Sequence, residues 1–451
     1  MLPAAEQSLP VSSPTENTKV VIALLLFVLA LGLRVLYVNT AVIDHPIRAD
    51  AAKYITLADN LLNHGVYSSG RGQQLSPETT ITPGYPLFLA ALLDVKQDNP
   101  RFSYWLILNL QAVLGAFIVL FTFRVGLLFL PLRAACGAGL LAALSPHLIV
   151  SCGYVLTETL FTFLLMISLY LLLRARIHNN RVLYLVFGLL CALATLVRPS
   201  LALYPFCIVI GLFVAMKLKN YRLQTAGFIL LGFLVVVAPW LLWQQHATTA
   251  ARARYSPVAS SFALGTYPNL IYRNPKLRGF PYREDPAYTE MGKSLVNGVA
   301  VLKQRAAAEP ARYLYWYLIG KPLTYWSWSM IVGQGGPFIY PVVSTIYQQY
   351  TVAAATLWLF NTLRPLLLLL AAWSCAYVLF RIFRAKSIHE EILVISLLAA
   401  TLLYFTLVHT VLAPLPRYAI PVIPVLYLTA AFGLWKAAAL IGTLLERNNS
   451  P

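Results

Sequence analysis

The feature that most constrains this chain is a series of apolar blocks, each close to the roughly 20 residues that a helix needs to cross about 30 Å of hydrocarbon. They fall at about 20–38, 104–129, 134–150, 155–174, 182–198, 201–216, 225–243, 365–383, 391–411 and 416–439. A soluble domain cannot hide so many. In lipid each peptide group must be satisfied within its own segment, which selects helices. The composition agrees: 59% of the 451 residues are hydrophobic and 11% are charged, against about 25% charged in a soluble domain. The chain reads as an all-α polytopic membrane protein with about ten transmembrane helices.

The net charge of +18 does not point to nucleic acid. Many of the Lys and Arg residues sit in short clusters between apolar blocks, as topogenic loops do. With the N-terminus in the cytosol, the inner connections carry Arg124 and Arg133, then Arg174, Arg176 and Arg181, then Lys217, Lys219 and Arg222, then Arg381, Arg384 and Lys386. Lys436 and Arg447 follow in the C-terminal part, which is also cytosolic. The short outer connections hold only Arg198 and Arg417. Residues 1–19 form a cytosolic tail without the basic start of a signal peptide, and the first block is an uncleaved helix. The five cysteines form no CxxC pair and imply neither a disulfide framework nor a zinc site.

Two long segments are left outside, at about 39–103 and 244–364. They divide the chain into a catalytic membrane region (20–243), an extracytoplasmic region (244–364) and the last transmembrane helices with their tail (365–451). In the first loop, Tyr54, Leu57, Ala58, Leu61 and Leu62 recur at helical spacing between Asp50 and Gly65, predicting an interfacial helix with Gly65 as its stop. Thr82-Pro-Gly-Tyr-Pro-Leu-Phe-Leu89 opens a second short helix. The second segment is rich in Tyr, Trp and Pro, which suits the membrane interface first and sugar stacking second.

Only 16 residues are acidic, and ionisable groups near hydrocarbon need a reason to be there. Asp50 opens the first interfacial helix, either as its N-cap or as a general base at the outer surface. Asp44 is a weaker candidate, and Asp59 reads as solvated. Glu158 lies at the outer end of the fourth span. It either faces the headgroups or points into an outward cavity beside Asp50. Arg198 and Arg417 stand on the side where topology asks for no cation. Each either snorkels to headgroups or forks onto a phosphate, whose oxygens a guanidinium matches. Arg364 and Arg34 are secondary candidates near outer span ends. His45, His64, His147, His246 and His409 show no metal spacing.

Four local patterns resemble the integral-membrane glycosyltransferases of the C-type fold, in particular the protein O-mannosyltransferases, aminoarabinose transferases and related bacterial enzymes. They are Arg48-Ala-Asp-Ala-Ala-Lys-Tyr54 with Ala58 and Gly65 beyond, Thr82-Pro-Gly-Tyr-Pro-Leu-Phe-Leu89, Leu156-Thr-Glu-Thr-Leu-Phe161, and Ala194-Thr-Leu-Val-Arg-Pro-Ser200 joined late by Pro416-Arg-Tyr-Ala-Ile-Pro421. Order and spacing fit from about residue 20 to 240 and at the last span. The 244–364 segment carries no such likeness.

The resemblance implies a sugar donor on undecaprenyl or dolichyl phosphate, with Asp50 as the catalytic base. Many relatives carry Asp-Glu where this chain has Asp50-Ala51, and Glu158 is the candidate to supply the second charge. The expected reaction is transfer to a hydroxyl of a lipid, glycan or protein acceptor, with inversion. Arg198, Arg417 and secondarily Arg364 would bind the donor phosphate. No cofactor is indicated, and a divalent metal is compatible with the pattern without being required by it. The expected location is a bacterial inner membrane, with the active site outside the cytosol. The competing class is a multi-pass transporter or lipid flippase, which would more often show repeated halves and a midplane site.

Overall fold

The structure, a computed structural model, describes residues 15–70, 72, 75–93, 100–215, 219–250, 256–271, 281–330, 335–384 and 390–448. Lys217 and Lys386, read above as topogenic, lie outside them, as does most of the N-terminal tail. The chain opens with α1 (Glu16–Thr40), a two-residue strand β1 (Val42–Ile43) and two short helices, α2 (Ala49–His64) and α3 (Gly84–Ala90). Then come α4 (Pro100–Gly126), α5 (Leu132–Leu144), α6 (Pro146–Val150), α7 (Glu158–His178), α8 (Arg181–Val197), α9 (Tyr204–Ala215) and α10 (Lys219–Ala250). The second long segment folds into short helices: α11 (Pro257–Gly265), α12 (Pro286–Met291), α13 (Leu295–Ala308), α14 (Pro310–Tyr315), α15 (Lys321–Tyr325) and α16 (Ile346–Gln349). Helices α17 (Thr351–Arg384), α18 (Glu390–Val411) and α19 (Ile423–Asn448) complete the chain.

Each of the ten apolar blocks is mostly helical over its described residues. Among the described residues, seven helices are long and apolar enough to cross a membrane alone, and α5 with α6 makes an eighth, bent by 48°. The apolar helix α8 and the stretch Pro199–Phe213 are shorter. This is a multi-pass membrane protein. Its core is α7 and the span ending in α19, with 61% and 78% of their apolar windows buried, whereas α1 (28%) and α17 (22%) face outward.

Two helices run further than their apolar windows. Helix α10 continues to Ala250, and α17 begins at Thr351 and passes through Pro365 without a break. Hydropathy sees only the part of a helix that needs lipid, and an interior proline reads as a boundary.

The bend between α5 and α6 explains Arg34. Pro146 starts α6, so the last carbonyls of α5 have no helical donor. Arg34, fully buried in α1, fills that role: Nη1 donates to Ala143 at 3.2 Å and Nη2 to Ala142 at 3.1 Å. It caps a broken helix and is not available to a phosphate.

The bundle has two chemically distinct ends. At one, Arg176 of α7 lies 3.8 Å from Glu390 of α18, and Lys436 of α19 lies 2.7 Å from Glu391. The other end of α7 begins at Glu158. With 21 residues rising about 1.5 Å each, the helix separates the two ends by about 30 Å, the thickness of the hydrocarbon. The short helices of both long segments gather at the Glu158 end. There β1 pairs antiparallel with β2 (Val342–Ser344), joining the first long loop to the end of the second.

Candidate active site at one end of the bundle

Helix α8 stops where Pro199 follows Arg198, since proline cannot continue the hydrogen-bond ladder. Tyr404 of α18 pins the turn by donating to the Ser200 carbonyl at 2.7 Å. The Arg198 guanidinium therefore projects from a fixed corner. Its Nη2 donates to Glu158 Oε1 at 2.7 Å and its Nε to Thr157 Oγ1 at 2.8 Å. The pair is withdrawn from solvent, with 1% of the Glu158 side chain and 12% of Arg198 exposed.

Arg417 lies in the 3₁₀ turn Pro416–Val422 that leads into α19. Its Nη2 donates to Asp50 Oδ2 at 2.5 Å, and its Nε stands 4.0 Å from Glu158 Oε1. Asp50, Glu158, Arg198 and Arg417 thus form one cluster of two carboxylates and two guanidiniums, drawn from four separate elements. The Tyr418 ring lies against both cations, 5.1 Å from the Arg198 Cζ and 5.3 Å from the Arg417 Cζ. An aromatic face at that range attracts a guanidinium.

Of the two readings of Asp50, the N-cap is not the one observed. Arg48 occupies the cap position, and Asp50 sits in the first turn of α2 with its oxygen turned to Arg417. Ala49, just before it, has φ +47°, a left-handed conformation rare outside glycine. Such a residue costs on the order of 1–3 kcal/mol, which the surrounding contacts must offset. Burial works to raise the Asp50 pKa, but the Arg417 guanidinium, with Lys53 and Arg198 behind it, outweighs burial and holds the carboxyl below the usual aspartate value. The helix closes at Gly65, as expected, in the left-handed region.

Several buried polar contacts set these elements against one another. A Cβ at Gly84 would stand 2.6 Å from the carbonyl carbon of Leu196, so only glycine lets α3 press onto the end of α8. Next to it, Tyr85 donates to Gln111 Oε1 at 3.0 Å, and Gln111 Nε2 donates to the carbonyls of Cys152 and Tyr154, which precede Glu158. The Tyr154 hydroxyl donates to the Tyr340 carbonyl at 3.0 Å, and the Tyr340 hydroxyl donates to the Arg48 carbonyl at 3.2 Å. Tyr325 donates to the Tyr418 carbonyl at 3.2 Å.

The other candidates lie elsewhere. Arg364 donates to the Ser327 carbonyl and makes no hydrogen bond or ion pair with the cluster. Asp44 pairs with His45 at 3.6 Å on the surface. His147 contacts the Trp328 carbonyl at 2.7 Å, and His409 stacks on Tyr325. Among the described residues no group of three or more His, Cys, Asp or Glu side chains could hold a metal ion. The cluster itself offers a cation little, because guanidiniums engage both carboxylates; of these carboxylate oxygens, Glu158 Oε2 is the one buried without a hydrogen-bond partner.

Residues 81–243 match the model of the family described as dolichyl-phosphate-mannose-protein mannosyltransferase. Among solved structures, the chain is similar to the oligosaccharyltransferase AglB of Archaeoglobus fulgidus in complex with an inhibitory peptide and a dolichol-phosphate. The identity is 14% and the TM-score 0.50, over 96% of this chain and 52% of that one. A structure of the A. fulgidus oligosaccharyltransferase tethered with an acceptor peptide gives 14% identity and a TM-score of 0.51, over 93% and 49%. ArnT from Cupriavidus metallidurans in the apo state gives 12% and 0.50, over 92% and 59%.

The fold is that of the C-type membrane glycosyltransferases. The chain spans about half the length of the first two structures it resembles. A search of curated proteins finds no match. Sequence reasoning picked out the four charged residues but missed Thr157 and Tyr418, each adjacent in sequence to one of them. It also missed Gln111, which a polar residue inside an apolar block could have signalled.

Proposed function

We propose that the protein is a glycosyltransferase that moves a sugar from a polyprenyl-phosphate donor to a hydroxyl acceptor at the extracytoplasmic face. One observation carries this reading: two carboxylates and two arginines meet at the end of the bundle opposite the Glu390–Arg176 pair. The family match over 81–243 and the likeness of fold support it. A charge-balanced cluster at the end of a bundle of apolar helices has no role in membrane insertion.

In this reading Asp50 accepts the proton of the acceptor hydroxyl as its oxygen attacks the anomeric carbon. The bond from that carbon to the phosphate oxygen breaks, the electron pair leaves with the lipid phosphate, and the configuration inverts. A positioned carboxylate contributes about 10²–10⁴-fold to such a step. Arg417 and Arg198 stabilise charge on the departing phosphate, where preorganised donors act most strongly. Glu158 keeps Arg198 in place. Arg364 has no part in this scheme. The lipid, glycan or protein acceptor would be chosen by the second long segment. The clusters of Lys and Arg at the opposite end support cytosolic termini, and a bacterial inner membrane is the setting we favour.

The test is transfer of labelled sugar from polyprenyl-phosphate donors by the purified protein and by Asp50→Asn. Release of polyprenyl phosphate by the wild type, reduced about 10²-fold or more in a folded Asp50→Asn, supports the assignment. Equal rates would remove Asp50 from its role.

A further inference from the structure

Resting on that reading, we propose that the Asp50–Arg417 pair is an interlock: the donor phosphate takes Arg417 away from Asp50, so that the base is unmasked only when a donor is in place. As it stands the site is poorly set for both of its tasks. Asp50 Oδ2 is engaged by a guanidinium, whose charge stabilises the ionised carboxylate and makes it a weaker acceptor for the proton of an alcohol. The two carboxylates and two guanidiniums sum to no net charge, so an arriving phosphate meets no uncompensated cation within the cluster. Giving up one internal pair resolves both difficulties at once.

The geometry says which pair gives way. Arg198 is forked onto two partners, Thr157 and Glu158, in the more buried pair. Arg417 hydrogen-bonds only Asp50, in a pair with 21% and 34% of the side chains exposed, and its buried Nε, at the outer limit of an ion pair with Glu158 at 4.0 Å, has no hydrogen-bond partner. It is the guanidinium with donors to spare, and a fork matches phosphate oxygens as well as it matches a carboxylate. The Tyr418 ring holds Arg417 by a contact that does not involve Asp50, 5.3 Å from the guanidinium carbon. Arg198 and Glu158 remain as the fixed half of the site.

An interlock makes Asp50 a competitor of the phosphate, so removing its charge strengthens lipid binding even as it removes the base. The experiment measures undecaprenyl phosphate binding to the full chain in nanodiscs, for the wild type, Asp50→Asn, Arg417→Gln and the double variant. An ion pair with partial access to solvent is worth about fivefold in an equilibrium, and removing the repulsion between carboxylate and phosphate adds to that. Asp50→Asn is therefore expected to bind about three- to tenfold more tightly than the wild type.

In the Arg417→Gln background, only the part due to repulsion should survive, so the gain shrinks. Wild-type binding that Arg417→Gln weakens, but that Asp50→Asn leaves equal or weaker, overturns the interlock and spares the donor site. An equal gain in both backgrounds also overturns it, because repulsion alone then explains the effect. No saturable binding by any of the four proteins overturns the donor reading and the interlock with it. Asp50→Ser, which also lacks the charge, decides the matter if Asp50→Asn does not fold.

Discussion

Gly84→Ala tests whether the first long loop positions the arginine corner. The added Cβ would stand 2.6 Å from the Leu196 carbonyl carbon, 2.7 Å from the Val197 nitrogen and 2.8 Å from the Leu196 oxygen. Ordinary contact begins at 3.4 Å, so the shortfall is 3.4 − 2.6 = 0.8 Å. The obstacles are backbone atoms, so no rotamer change relieves them, and either α3 or the end of α8 must retreat. Arg198 follows Val197 directly, and the displacement passes to its fork on Thr157 and Glu158. Overpacking of this kind costs about 1–3 kcal/mol, and a misplacement near 1 Å at reacting groups costs about 10²-fold in rate. The variant should therefore melt earlier in detergent and lose roughly one to two orders of magnitude in sugar transfer. Gly137→Ala is the control: it lies in α5 with nothing within 4 Å of its Cβ position, and in a helix interior alanine gains roughly 0.5–1 kcal/mol. If Gly84→Ala matched the wild type in both melting and transfer, α3 would not be what sets the arginine corner.

Three further outcomes follow from the same contacts. Glu158→Ala leaves Arg198 without its carboxylate in a site that is 12% exposed, and breaking a buried pair costs about 3–5 kcal/mol; a thermal unfolding midpoint unchanged from the wild type would contradict this. The Asp50 pKa is lowered on folding, so its ionised form adds stability above the unfolded value, and that stability is lost as pH falls through the lower folded value. Melting temperature should thus show no Asp50 contribution to its pH dependence near neutrality and an acid loss setting in below the ordinary aspartate value of 3.8, with Asp50→Asn losing less than the wild type between pH 5 and 3. Replacing Arg34 by leucine strands the carbonyls of Ala142 and Ala143, at about 1–3 kcal/mol each; lysine, which lacks the planar fork, should restore little of the loss in the same melting assay.

The residues of the site could be read from the sequence, but their partners could not. An ionisable side chain near hydrocarbon has few reasons to exist: Asp50 stood out at the start of an interfacial helix, Glu158 at the outer end of a span, and Arg198 and Arg417 on the side where topology asks for no cation. Arg34 and Arg364, near outer span ends, came second. These two donate to backbone carbonyls, and nothing in residue type separates a guanidinium aimed at carbonyls from one aimed at a carboxylate. For Arg34 a clue did exist, since Pro146 ends a helix in mid-span and leaves carbonyls that need a donor. The pairing of Asp50 with Arg417 spans 367 residues and depends on how the turn before α19 meets the first turn of α2, which no local pattern encodes. The second long segment was the least readable. Its tyrosines suit a membrane interface first and a sugar site second, and two of them do something else: Tyr340 reaches the Arg48 carbonyl beside Asp50, and Tyr325 reaches the Tyr418 carbonyl beside Arg417. Lys321 adds donors to the carbonyls of Thr410 and Leu412 at the end of α18. Each of these bonds joins a side chain to a distant backbone, so it leaves no periodicity to detect. The segment without a recognisable motif is therefore the one that holds both partners of the proposed interlock, and a change in it can reach Asp50 and Arg417 without touching either.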